Sequence, residues 1–264
     1  MGRASGDSPP CDSSIFVTLR RCRRVWAVAA IHAESARLAR VLDGVTARLE
    51  RGDRMVFLGN YLGYGPDGAG TLDRLIAFRR AFLSMPGCFL GDIVFLRGWQ
   101  EEVWHKLTQL QFSADPRPVF QWMVEHGMSS SLAAYGFAPR QVEAAMREGV
   151  MAVTRWTGSL RAAVDAKPGH RAFLGGLRHA ARTDDGVLTF VHAGYDPGKP
   201  FELQTDTLWW GGADILDIAP PLPGVGRLVR GFDRAHAGLK RGPQAVSLDG
   251  GSGFGGPLLA ACFD

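Results

Sequence analysis

The chain has 264 residues, 46% of them hydrophobic and 21% charged. That is enough apolar material for one large core or two small ones, and it excludes a fibrous or wholly disordered protein. Net charge is +4, but only Lys106, Lys167, Lys199 and Lys240 of the thirty basic residues are lysines, so the charge reads as general solvation by arginine and argues against nucleic acid. Cys11, Cys22, Cys88 and Cys262 stand apart with no C-x-x-C pair. Neither a zinc ribbon nor a disulfide framework follows, and the thiols read as reduced ones in a cytoplasmic protein.

In chain order, "MGRASGDSPPCDSS" is polar and lacks the apolar segment of a signal peptide. Residues 1–22 are expected to be a disordered, partly basic tail, and residues 23–264 a single domain. Arg20, Arg21, Arg23 and Arg24 read as a solvated approach to the first strand. "VWAVAAIH" is that strand. Leu38, Val41, Leu42, Val45 and Leu49 then recur at helical spacing, with Gly52 as the stop. "RMVFLG", a glycine-rich turn, the helix "TLDRLIAFRRAFL" and the strand "DIVFLRG" complete a βαβαβ opening, which implies a parallel sheet.

From about residue 100 to 182 the pattern is helical, an insertion carrying Trp104, Trp122 and Trp156 as candidates for docking a protein. Strands return at "GVLTFVHAG", "GRLVRG", "QAVSLDG" and "PLLAACF". Their close spacing predicts antiparallel pairing, with "GGSGFGG" as the hairpin turn before the last. No apolar run is long enough to span a membrane. "GGSGFGG" lacks the G-K-[ST] of a phosphate loop, and no G-x-S-x-G elbow occurs.

The strand-end loops read "AAIHAE", "GNYLGYG", "RGWQE", "VHAG" and "VRGFDR". Their order and spacing resemble the metallophosphoesterase superfamily, in the branch of serine/threonine protein phosphatases and diadenosine tetraphosphatases. The corresponding family blocks are G-D-x-H-G, G-D-x-x-D-R-G, G-N-H-E, H-A-G and H-G-H. The resemblance covers about residues 24–264. It implies an α/β (α+β) fold, a four-layer αββα sandwich of two mixed sheets with a helical insertion. Two metal ions about 3.5–4 Å apart would supply the family's nucleophile.

Position by position, the resemblance places Ala30 where the family has an aspartate ligand and keeps His32. Asn60 falls on the bridging aspartate, Trp99 on the asparagine ligand and Phe232 on a ligand histidine, while His192 is kept. The general-acid histidine falls on Gln100, its supporting aspartate on Gly63 and the phosphate-binding arginine on Tyr64. A neutral amide cannot offset two dications as a carboxylate does, and an indole only donates. The expectation is therefore no catalytic residues, no metal cofactor, and a smaller cleft packed by Trp99 and Phe232.

A single weakly held Mn, Fe or Zn on His32, His192 and Asp233 is the minor alternative. Arg97 and Arg230 are candidate anion-binding residues for a phosphate-bearing ligand, with Arg230 otherwise pairing to Glu101 or Asp233. The functional expectation is a catalytically inactive phosphoesterase-like protein, a binding or regulatory module with a protein partner. The alternative is an active metal-dependent phosphoesterase with rearranged ligands.

Overall fold

The computed structural model describes residues 15–218, 222 and 225–264. Cys11 and residues 1–14 of the expected tail lie outside them. Ten strands form two sheets: β1 Phe16–Leu19, β2 Val25–Val28, β3 Arg54–Phe57, β4 Ile93–Phe95, β5 Ala180–Thr183, β6 Leu188–Val191, β7 Arg227–Arg230, β8 Lys240–Arg241, β9 Ala245–Ser247 and β10 Ala260–Phe263. The helices are α1 Ser35–Thr46, α2 Gly68–Ser84, α3 Trp99–Leu107, α4 Pro116–Met123, α5 Ser129–Ala133, α6 Pro139–Glu148, α7 Val150–Asp165, α8 His170–Gly175 and α9 Thr207–Trp210.

The smaller sheet has the order β10-β2-β3-β4, and the larger β1-β5-β6-β7-β9-β8. β2, β3 and β4 run parallel, as the βαβαβ pattern predicts, and β10 closes the sheet antiparallel to β2. Every residue of β2 is buried, because the strand is central and covered on both faces. The sheets face each other through one core. Phe190 of β6 meets Phe263 of β10 edge to face at 6.0 Å. On β7 and β9, alternate residues serve opposite faces. Val229 and Val246 join the core between the sheets, while Leu228 and Ala245 join a second cluster with Phe201, Leu208 and Trp209.

α1 buries Leu38, Leu42 and Val45 as its spacing predicts. It ends at Thr46 rather than at Gly52, which sits in the following turn with φ 92°. α2 begins where the Asp67 carboxylate accepts from the Gly70 amide at 2.8 Å. Arg23 and Arg24 pair with Glu50 and Asp53, so they are joined to the turn before β3 rather than freely solvated.

The structure corrects four expectations. Phe16–Leu19, assigned to the tail, is a strand parallel to β5, where it finds hydrogen-bond partners far along the chain. Ala180–Thr183, at the end of the helical insertion, is a strand too. β6, β7 and β9 pair parallel, because each connection crosses over before returning to the sheet. "GGSGFGG" is not a hairpin turn: β9 and β10 belong to different sheets, and the segment carries the chain between them. No helix among the described residues is long and apolar enough to cross a membrane.

Candidate functional site

The loops after β2, β3, β4, β6 and β7 converge, and their backbones knit the two sheets together at one end. Ala30 N–H donates to the Gly231 carbonyl, and Ile31 N–H to that of Asn60. Gly231 and Phe232 both donate to the His192 carbonyl. The approach is close enough to require glycine at two positions. A Cβ on Gly98 would lie 2.3 Å from the Asn60 nitrogen, and one on Gly59, whose φ is 95°, would lie 2.7 Å from His192 Nδ1. His32 and Asn60 themselves hold left-handed φ values of 55° and 51°. Such strain in non-glycine residues collects at sites where the surroundings fix side-chain direction.

At the centre of the loops is Glu101, on the first turn of α3 and 3% exposed. Its Oε1 accepts from the Tyr61 and Leu62 amides at 2.7 and 3.0 Å, and its Oε2 from the Asn60 and Gly98 amides at 2.9 and 3.0 Å. Burial pushes the carboxyl up from its ordinary value, and the four N–H donors pull it back. Four donors on two oxygens leave no place for a carboxyl proton, so the geometry holds the anion. From the sequence, Glu101 stands out only as a partner for Arg230. The available signal was its place three residues after Gly98, the reach-back position of a capping box.

His32 and His192 are buried and held neutral. The His192 Nδ1–H donates to the Leu58 carbonyl at 2.6 Å, which leaves its Nε2 lone pair buried and without a partner. Burial lowers this imidazole to about 4. The Asn60 oxygen accepts from the Gln100 amide at 2.9 Å, so its amide nitrogen donates to His32 Nε2 at 3.1 Å. Burial, then the neighbouring His192 and His236, hold His32 well below its usual value. Gln100 reaches away to the His126 carbonyl at 2.9 Å. The Gly63 amide donates to Ser131 Oγ at 3.0 Å, and Tyr64 packs its ring against Phe254 at 4.5 Å.

Trp99 and Phe232 close the cleft. Ala30, Ala193 and Phe232 form a small apolar cluster with Trp99 against it. Phe232 stacks on the His192 ring at 5.3 Å with 7° between planes, and Trp99 meets Phe232 edge to face at 5.8 Å. Trp99 also stacks on Trp122 and lies under the Arg234 guanidinium at 5.2 Å. The expected single pocket is thereby divided. A cavity of about 160 Å³ lies by His32, Tyr64, Trp99 and Phe232, and another of about 280 Å³ by Arg230, Asp214 and Trp210. Ala30, Asn60 and His192 line neither, because the aromatic rings cover them.

The remaining candidates divide as well. Arg230, 5% exposed, pairs with Asp214 at 2.9 Å and Asp233 at 3.3 Å, and donates to Ser247 Oγ at 3.0 Å. Pairing with Asp233 was foreseen; pairing with Glu101 does not occur, since that carboxylate is taken by backbone amides. Arg97 pairs with Glu102 at 3.0 Å and lines a different cavity, so the two arginines do not share a cleft. Asp233 is directed to Arg230 and to the Ala235 amide, which removes it from a set with His32 and His192. Of the three tryptophans proposed for docking, Trp104 and Trp156 are core and only Trp122 is exposed.

No protein-family description and no curated protein sequence matches the chain. Solved structures do. A putative diadenosine tetraphosphatase aligns over 94% of this chain and 93% of its own, at 20% identity and a TM-score of 0.60. The fold is that of the calcineurin-like metallophosphoesterases. A protein serine/threonine phosphatase from Saccharomyces cerevisiae aligns over 95% of this chain and 84% of its own at 11% identity and a TM-score of 0.47. A cold-active protein-tyrosine phosphatase of a psychrophilic Shewanella does so over 99% and 84%, at 11% and 0.48. Both are more distant, and the fold rests on the first alone.

The residues at the strand ends of this metallophosphoesterase fold do not fit a pair of divalent ions. Hard cations of this kind need carboxylate oxygens. Here the family's ligand positions hold two imidazoles, one already engaged by Asn60, beside Ala30, Trp99 and Phe232, and the neighbouring His236 is tied to Asp249 at 2.7 Å. Among the described residues no three His, Cys, Asp or Glu side chains are grouped as metal ligands.

Proposed function

We propose that the chain is a catalytically inactive phosphoesterase-like protein, a binding or regulatory module built on a hydrolase scaffold. One observation carries the reading: Ala30, Ala193, Phe232 and Trp99 pack an apolar plug between the His32 and His192 loops. A dinuclear site needs there a bridging carboxylate, a bound water and open space for a phosphoryl group. An indole and a phenyl ring supply no metal-binding oxygen, and they fill the space between the two histidine loops. The Asn60 amide spends both its groups on Gln100 and His32. The module is proposed to act in the cytoplasm on a protein partner, with Arg230 as a candidate contact for a phosphate-bearing ligand.

The test is hydrolysis of an aryl phosphate by the purified chain across a series of added Mn²⁺, Fe²⁺ and Zn²⁺. No metal-stimulated turnover is expected. Turnover that follows added metal and disappears in His192→Ala would overturn the reading.

A further inference from the structure

A separate cavity of about 420 Å³ opens between α3, α7 and α8. α3 turns Trp99 and Gln100 to the plugged cleft, and Glu101, Trp104, His105 and Thr108 to this second space. Those four are spaced three and four residues apart, so they form one helical stripe. The two cavities share no lining residue.

Its wall combines an apolar side of Trp104, Val164 and Leu174 with three guanidinium groups, those of Arg97, Arg161 and Arg171. Arg97 is held by Glu102 at 3.0 Å, yet its buried Nε finds no hydrogen-bond partner. Arg171 pairs with Asp165 at the rim. Arg161 donates to the Thr108 carbonyl at 2.7 Å and has no carboxylate partner among the described residues. The one carboxylate on the wall, Glu101, is committed to four backbone amides. Three guanidinium groups thus face one carboxylate on the wall itself, and Arg161 is the one of the three with no carboxylate pairing it among the described residues. Burial and the Arg97 charge together lower the nearby His179 imidazole to about 4.

We propose that this cavity binds a small organic anion, an apolar or aromatic body carrying one phosphate or carboxylate. The anionic end faces Arg97, Arg161 and Arg171, and the body lies on Trp104, Val164 and Leu174. The volume suits a small metabolite, and a few polar groups over an apolar lining are what such sites use. Guanidinium groups bind either oxyanion through paired N–H donors. The site is independent of whether the neighbouring cleft hydrolyses anything.

The experiment is calorimetric titration of the full chain with phenyl phosphate, benzoate and inorganic phosphate. Saturable binding of phenyl phosphate or benzoate is expected at concentrations of about 1 mM or below. The tighter of the two identifies the headgroup. Arg161→Gln should weaken binding at least tenfold. Gly175→Trp, which adds an indole at a lining position whose Cβ meets open space, should do the same. Circular dichroism confirms that each variant is folded. Three results would overturn the proposal: no saturable heat from either organic anion, binding indifferent to both variants, or binding lost in Arg230→Gln but kept in the other two. Inorganic phosphate binding as tightly as phenyl phosphate would remove the apolar half of the site.

Discussion

Replacing Glu101 by glutamine removes a single charge and changes almost no volume. Glutamine keeps one oxygen, which can still accept from Tyr61 and Leu62. Its NH₂ then faces the Asn60 and Gly98 amides, which in the parent donate to Oε2 at 2.9 and 3.0 Å. Two buried donors lose their acceptor. Each orphaned donor costs about 1–3 kcal/mol, so the variant should lose about 4 kcal/mol. In a domain of this size that lowers Tm by roughly 8–16 °C. Urea unfolding followed by tryptophan fluorescence measures it as a lower midpoint with an unchanged slope. Glu125→Gln, at an exposed position, should stay within about 0.5 kcal/mol of the parent. If Glu101→Gln costs under about 1 kcal/mol, the four amides are not held by the carboxylate charge, and the account of the site's architecture fails.

Stability should also fall in acid. His192 is held at about 4 by burial, against about 6.5 in the unfolded chain, so the unfolded chain takes the proton first as pH drops. Its contribution is complete above about pH 6.5 and falls toward pH 4, by about 3 kcal/mol, and the lowered His32 acts in the same direction. His192→Phe should give a shallower pH slope in denaturant titrations; an unchanged slope would refute the assignment. Asn60→Asp buries a carboxylate against the His32 Nε2 lone pair, so it should cost about 2–4 kcal/mol at pH 7. It should also raise the His32 titration followed by NMR, and no upward shift would count against the contact. Gly98→Ala should give no folded soluble chain, since its Cβ would lie 2.3 Å from the Asn60 nitrogen. Gly175→Ala should stabilise by about 0.4–1 kcal/mol; the reverse order in thermal melts would contradict the packing.

The strands that carry the site were legible because each is a short apolar run ending in glycine or histidine. β2, β3, β4, β6, β7 and β9 all lie inside the runs read from the residues. β1, β5 and β8 were not, for different reasons. β1 follows a polar stretch and gains its pairing from residues far along the chain. β5 is "AART", which carries no alternation. β8 is only Lys240–Arg241, an exposed edge. The direction of the late strands was misread because closeness in sequence does not fix pairing when a connection crosses over. At the site, residue types identify the positions that offer no metal-ligating atom, Ala30, Trp99 and Phe232. They did not predict that Glu101 would serve four backbone amides, because backbone donors have no letter in a sequence. Nor did they separate Arg97 from Arg230, which depends on how α3 is turned.

The pairing of Phe16 with Ala180, and of Val25 with Phe263, sets a temporal order on the molecule. During synthesis the first strand emerges long before its neighbour, and the smaller sheet lacks its antiparallel edge until the last described residues appear. The helices from α3 to α8 share the core of β2, β3 and β4, and Phe173 of α8 packs on Tyr61 and Phe95. Long-range pairing of this kind slows folding. A newborn chain would thus carry open strand edges on both sheets until its late strands emerge, and open edges are where chains pair with one another.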